Sequence, residues 1–188
     1  MAAPEILLAR HGETEWSRDL RHTGRTDVPL TDEGRRQAAA LRPRLAGRSF
    51  DKVLVSPLSR AVETCELAGL GERAEQRPEL VELDYGDAEG LTTVQLRERY
   101  PGWTVWTHPT PGAETFEQVE VRLRPVIAEL AATGGGVAVF AHGHVLRVLA
   151  ALWIGMAPQG GSRLALATGK LSTLGWEHET QVIKAWNK

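Results

Sequence analysis

The chain has 188 residues, 42% hydrophobic and 24% charged, a balance that suits a globular protein with a sizeable core and excludes a disordered one. Its 22 basic and 24 acidic residues give a formal net charge of -2, so there is no whole-molecule basic field to hold nucleic acid. One cysteine, Cys65, excludes an intrachain disulfide. No segment reaches membrane-spanning length, and Met1-Ala2-Ala3-Pro4-Glu5 lacks the basic and apolar regions of a leader. A cytoplasmic protein without nucleic-acid or membrane partners is expected.

The apolar run Ile6-Leu7-Leu8-Ala9 reads as a buried strand. It ends in Arg10-His11-Gly12, a costly sequence for a core because a buried cation needs partners. A guanidinium fork and an imidazole at a strand end suit a phosphate, and Gly12 is expected to let that anion approach the backbone. A polar stretch over 12–30 leads to Thr31, which caps a helix with Asp32 and Glu33 in its first turn. That helix runs to about Gly47 and is bent or broken near Pro43.

Residues 52–55 form a second strand, stopped by Ser56-Pro57, and a helix spans 58–70 with Cys65 on its apolar face. A third extended segment lies near 79–83. Thr92 to Tyr100 form a short helix, and 103–113 an ordered surface loop with two tryptophans. Residues 114–132 form a helix that Pro125 should kink or break. Val137-Ala138-Val139-Phe140-Ala141 is the clearest buried strand; it ends in His142-Gly143-His144, where an apolar helix begins and runs to about Trp153. Segments 171–177 and 181–186 close the chain as an antiparallel hairpin, whose edge a dimer could cover; monomer and homodimer both fit.

This alternation predicts an α/β fold: a three-layer sandwich, with a mainly parallel sheet flanked by helices, in a single domain over residues 1–188. Ligands of open α/β sheets bind beyond the carboxyl ends of the strands. Here those ends carry Arg10-His11, Ser56-Pro57-Leu58-Ser59-Arg60 and His142-Gly143-His144, with Glu82-Leu83-Asp84-Tyr85-Gly86 after the third segment. Two arginines, two histidines and a carboxylate converging on one rim make a site.

The ordered set of motifs resembles the histidine phosphatase superfamily, in its phosphoglycerate-mutase-like branch. The resemblance rests on Leu8-x-Arg10-His11-Gly12-Glu13-Thr14-x-Trp16, Thr23-Gly24, Leu30-Thr31-x-x-Gly34, Ser56-Pro57-x-x-Arg60-Ala61-x-x-Thr64, Glu82-x-x-Tyr85-Gly86 with Glu89-Gly90, and His142-Gly143. It covers nearly the whole chain and implies a phosphoglycerate-mutase-like fold. It further implies that His11 is a nucleophile forming a phosphohistidine. Arg10, Arg60 and His142 would surround the phosphoryl oxygens, work done elsewhere by a metal. Glu82 would protonate the leaving oxygen and then activate water, with Asp84 and Glu89 as rival acids. Ser17, Thr23 and Gly24 would line the phosphate site, and Gly143 and His144 would offer backbone amides to the anion.

The expected chemistry uses no metal and no cofactor: His142-x-His144 has a metal-like spacing, but no third histidine or cysteine lies nearby in sequence. The expected partner is a small phosphorylated substrate. Mutase relatives carry an Arg-Arg pair after the Tyr-Gly segment and usually an asparagine at the position of Ser17. No arginine pair follows Trp106 here, and Pro111-Gly112-Ala113-Glu114-Thr115 resembles a turn of the small phosphatases. The reading is therefore hydrolysis of small phosphomonoesters, with sugar, alcohol or aromatic bodies. The alternatives are mutase-type phosphoryl transfer and a non-catalytic phospho-ligand binding protein. The 103–113 loop, with its tryptophans Trp103 and Trp106 and few charges, is expected to form much of the substrate wall. His22, Trp16 and Trp106 are candidate substrate contacts, or residues that pack their loops down.

Overall fold

The computed structural model describes residues 4–188; Met1–Ala3, part of the stretch read for a leader, lie outside it. In chain order the elements are β1 (Ile6–Arg10), α1 (Glu15–Arg18), α2 (Asp32–Ala39), α3 (Leu41–Leu45), β2 (Lys52–Val55), α4 (Ser59–Leu67) and β3 (Ala74–Gln76). There follow α5 (Thr93–Arg99), α6 (Phe116–Ala132), β4 (Val137–Ala141), α7 (Gly143–Trp153), β5 (Leu171–Glu177) and β6 (Thr180–Ala185). Among the described residues six strands form one sheet in the order β3-β2-β4-β1-β5-β6. The first four of that order run parallel, β5 pairs antiparallel with β1, and β6 pairs antiparallel with β5.

Side chains alternate across a strand, and that alternation builds the three layers. Ile6, Leu8, Val137, Val139 and Ala141 face a core completed by Val119, Leu123, Val126 and Leu130 of α6 and by the apolar face of α7. Leu7, Ala9, Val53, Val55, Ala138 and Phe140 face the opposite core, closed by Leu41 and Leu45 of α3 and by Ala61 and Cys65 of α4. Burying each such aliphatic side chain contributes about 1.5–3 kcal/mol. The Cys65 thiol, pushed up to about 12 chiefly by burial, is an inert member of that core.

Several boundaries differ from expectation. The helix starting at Thr31 breaks at Ala40, three residues before Pro43 and so near it as expected, and ends at Leu45. Proline has no N–H for the carbonyl four residues back, which is Ala39, where α2 ends; Pro43 then sits in the first turn of α3, where it is tolerated. By contrast α6 continues through Pro125. Its core face is Val119, Leu123, Val126 and Leu130, while Pro125 and Val121, whose carbonyl loses its partner, are exposed so that water can replace the bond. The third extended segment is strand β3 at Ala74–Gln76, and Pro78–Leu80 is a 3-10 turn. No helix among the described residues is long and apolar enough to cross a membrane.

Candidate active site

Parallel pairing of β1 with β4 sets Arg10 opposite Ala141, so the two strands deliver Arg10-His11 and His142 to the same rim. The His11 amide donates to the Ala141 carbonyl at 3.0 Å, and the His11 and His142 rings lie 5.1 Å apart between centroids.

His11 is only 4% exposed. Its Nδ1 lies 2.7 Å from the Gly12 carbonyl oxygen. A carbonyl only accepts, so Nδ1 carries the proton and Nε2 keeps the lone pair. Burial pushes the imidazole well below its usual pKa, and the Arg60 and Arg10 cations push the same way; the Gly12 bond opposes them. This neutral ring with Nε2 unbound is the form able to attack phosphorus.

Gly12 has a different role from the one expected. A Cβ there would lie 2.2 Å from the Gly34 carbonyl oxygen, because the loop after β1 packs backbone to backbone on the first turn of α2. The Gly12 amide donates to Thr64 Oγ1 at 3.1 Å. Glycine at this position serves close packing rather than approach of an anion.

The cavity over His11 has a volume of about 420 Å³. Arg10, His11, Ser17, Thr23, Glu82 and His144 line it, as expected, whereas Arg60, His142, Gly24 and Gly143 do not. Arg60 and His142 are fully buried immediately behind the cavity. Arg60 Nε donates to His142 Nδ1 at 3.1 Å, and its Nη groups donate to the Thr26 carbonyl at 2.9 Å and the Gly24 carbonyl at 2.8 Å. Because a guanidinium cannot accept, His142 Nδ1 must, so the protonated Nε2 donates to Ser56 Oγ at 2.7 Å. Both ring nitrogens of His142, expected to meet the phosphoryl group, are engaged in this structure, one by Arg60 and one by Ser56. Gly24 is committed to structure as well: its amide donates to Glu89 at 2.9 Å, and a Cβ would lie 2.4 Å from the Leu83 carbonyl oxygen.

Arg10 donates through Nη1 to the Leu166 carbonyl, while its Nε is buried without an acceptor. An unmet buried donor is costly, and a phosphoryl oxygen is the kind of acceptor it lacks. Ser17 Oγ accepts from the Thr14 amide at 2.9 Å and donates to the Thr14 carbonyl at 3.0 Å, so it caps α1 as well as lining the cavity.

The amides at the start of α7 bind a carboxylate of the chain itself. Glu82 Oε2 accepts from the His144 amide at 2.9 Å, and Oε1 accepts from the Val145 amide at 2.9 Å and the Leu83 amide at 3.0 Å. This is favourable at a positive helix end, but it removes the His144 amide from the anion-binding role expected of it. Oε1 has used both lone pairs and Oε2 one, so Oε2 keeps a site for a proton. The rival acids lie elsewhere. Asp84 accepts from the Gly86 amide at 3.0 Å, Glu89 accepts from Gly24 and Thr26, and neither lines the cavity.

The His144 ring, held neutral chiefly by burial and then by Arg147, has Nδ1 2.6 Å from Tyr85 Oη. His142 and His144 therefore serve different partners and do not form a shared metal pair. Among the described residues no group of three or more His, Cys, Asp or Glu could hold a metal ion.

The substrate wall is the main correction. The 103–113 loop does not line the His11 cavity; it encloses a neighbouring cavity of about 240 Å³, with Tyr85 common to both. Trp103 packs edge-on against His22 at 5.0 Å, and Trp106 stacks on Phe116 at 5.3 Å, so these tryptophans pack the loop down. The wall over His11 comes instead from Leu20, His22, Tyr85, Thr92, Thr93 and Val94. Tyr85 could have been found, since it stands in the Glu82-x-x-Tyr85-Gly86 motif. Leu20 and Val94 carry no comparable signal, being lone apolar residues in polar surroundings.

Residues 6–188 match the family model of the histidine phosphatase superfamily, branch 1. The chain is 41% identical over 177 residues to an acid phosphatase of Mycobacterium tuberculosis, covering 92% of this chain and 87% of that protein. A solved structure of an open reading frame product from Mycobacterium tuberculosis matches with a TM-score of 0.92 and 39% identity, covering 98% of this chain and 97% of the other. A 2,3-bisphosphoglycerate-dependent phosphoglycerate mutase of Methylorubrum populi is 34% identical over 183 residues, covering 87% of this chain and 85% of that protein.

Proposed function

The chain belongs to the histidine phosphatase superfamily, branch 1, and from that premise we propose that it hydrolyses small phosphomonoesters through a phosphohistidine on His11. The observation that carries the proposal is the state of His11: buried, neutral, with Nδ1 tied to Gly12 and Nε2 left as the free nitrogen on the cavity wall.

In the first step the Nε2 lone pair attacks phosphorus, the ester P–O bond breaks, and the leaving oxygen takes a proton from Glu82 Oε2. In the second, Glu82 as carboxylate takes a proton from water as that water attacks phosphorus. The P–N bond then breaks, its electron pair returns to Nε2, and inorganic phosphate leaves. Arg10 donates to the phosphoryl oxygens from the cavity wall, and Arg60 contributes positive potential from behind while opposing protonation of His11. His142, bridging Arg60 and Ser56, positions that guanidinium. Ser17 and Thr23 offer hydroxyls at the cavity edge. A cytoplasmic setting, and action as a monomer or homodimer of one domain, belong to the same proposal and suit a chain whose lone cysteine is buried.

The test is release of phosphate from p-nitrophenyl phosphate with a chelator present. The wild type should turn over and His11→Ala should not. Equal activity in the two proteins contradicts the proposal. Running 3-phosphoglycerate alongside separates hydrolysis from isomerisation to 2-phosphoglycerate, the mutase outcome.

A further inference from the structure

The mouth of the His11 cavity is rimmed by two apolar side chains that the chemical steps do not use. Leu20, in the turn after α1, is 78% exposed and Val94, in α5, is 69% exposed, and both line the cavity. Leu20 also holds an unfavourable backbone, with φ +57 just after the Asp19 cap of α1. That left-handed position favours glycine or asparagine, and a leucine there adds strain without adding to the core. Strain of this kind gathers at functional sites. The charged rim neighbours are already engaged: Arg21 Nη1 donates to the Gly90 carbonyl at 3.1 Å, and the Asp19 carboxylate accepts from Arg18 Nε at 3.0 Å. The Asp19 carboxylate on the rim repels a second anionic group, whereas a hydrocarbon would cover Leu20 and Val94 without displacing a bond.

We propose that Leu20 and Val94 select phosphomonoesters whose leaving alcohol carries an apolar body, alkyl or aryl, which covers this rim while the phosphoryl group sits at His11. The inference deepens the phosphatase reading above and rests on it for the placement of the phosphoryl group. Water-exposed methylenes that become half covered improve binding by about two- to fourfold each. Affinity should therefore rise over a homologous series until the chain outgrows the rim.

Two measurements test this together: kcat/KM for ethyl to hexyl phosphate, and calorimetric Kd for the matching alkylphosphonates, which cannot be hydrolysed. Both should improve with chain length in the wild type. The double variant Leu20→Ser/Val94→Ser should flatten both slopes, losing about tenfold or more on the hexyl compound and less on the ethyl. Val121→Ser, which removes another exposed apolar side chain on α6 (67% exposed), should keep the wild-type slope. Leu20→Asn should flatten the slope while raising Tm, an opposition that a purely structural leucine would not produce. Turnover with no dependence on chain length, or a slope unchanged in the double variant, overturns the role of the rim. A phosphonate slope without any His11-dependent turnover would leave the rim standing and overturn the phosphatase reading.

Discussion

Two cavities flank Tyr85, and their linings differ in kind. The one over His11 has Arg10 and Arg21 in its lining and the Arg60 guanidinium behind it, against the buried carboxylate of Glu82 and the rim carboxylate of Asp19. The one under the tryptophan loop is lined by Asp84, Glu114 and Glu117 and by no lysine or arginine. A phosphate dianion is attracted to the first and repelled by the second. The aromatic cavity lacks the cations that anion chemistry needs. Its charges serve the fold: Glu114 holds Arg122 through contacts of 2.7 and 3.0 Å. The lesson is that aromatic content alone does not locate a phosphate site, whereas a cation with an unmet donor beside a neutral buried histidine does.

The contrast can be broken most severely on the His11 side. His11→Ala should lower turnover by more than about 10⁴-fold, as loss of a covalent nucleophile does; a steady-state phosphate assay checks this. Glu82→Gln should slow alkyl esters by about 10²–10⁴-fold and nitrophenyl phosphate least, because nitrophenolate leaves without a proton. Equal slowing of all leaving groups would contradict its role as the acid.

Removing a cation behind the cavity should act through pH. Burial, Arg60 and Arg10 all lower the His11 pKa, so the acid limb of kcat/KM caused by His11 should lie well below pH 6.5 in the wild type. Arg60→Met removes one of those cations, favours the imidazolium, and should shift that limb upward, as a full pH–rate profile will record.

Stability should carry the same sign. His11, His22, His142 and His144 all have folded pKa values below 6.5, with His22 lowered to about 4 by burial. A depressed histidine costs nothing above its unfolded pKa, and stability is lost as pH falls below about 6.5 toward the folded pKa. Each such group contributes a slope of up to about 1.4 kcal/mol per pH unit in that window. Thermal melts from pH 7 to pH 4.5 should therefore show a falling Tm, and a flat Tm would contradict these burials. The smallest catalytic effect is expected across Tyr85: Trp106→Leu should cost about 1–3 kcal/mol of stability but change kcat/KM less than tenfold.

Much of the core machinery was legible because it sits at strand ends. An apolar run followed at once by Arg10-His11 or His142 has few physical explanations, and parallel pairing of β1 with β4 then brings the two together. The central strands were readable for the same reason, since both their faces are buried. β3 was not: Ala74-Glu75-Gln76 is a short polar edge strand without periodicity, defined only by its pairing with β2. Nor could sequence reveal that Glu82 occupies the start of α7, 62 residues away, and takes the amide expected to bind an anion. The burial of Arg60 behind the cavity likewise depends on the Thr26 and Gly24 carbonyls folding back over α4. The tryptophan loop misled because its stacking partners, His22 and Phe116, lie in other segments.

The central claim is that the phosphoryl group passes through Nε2 of His11. Its most direct test is rapid mixing of enzyme with a ³²P-labelled monoester, an alkaline denaturing quench, and analysis of the protein-bound label. The account predicts a base-stable, acid-labile phosphohistidine that maps to His11 and is absent from His11→Ala. A turning-over enzyme with no such label, or a label that survives in His11→Ala, would contradict it.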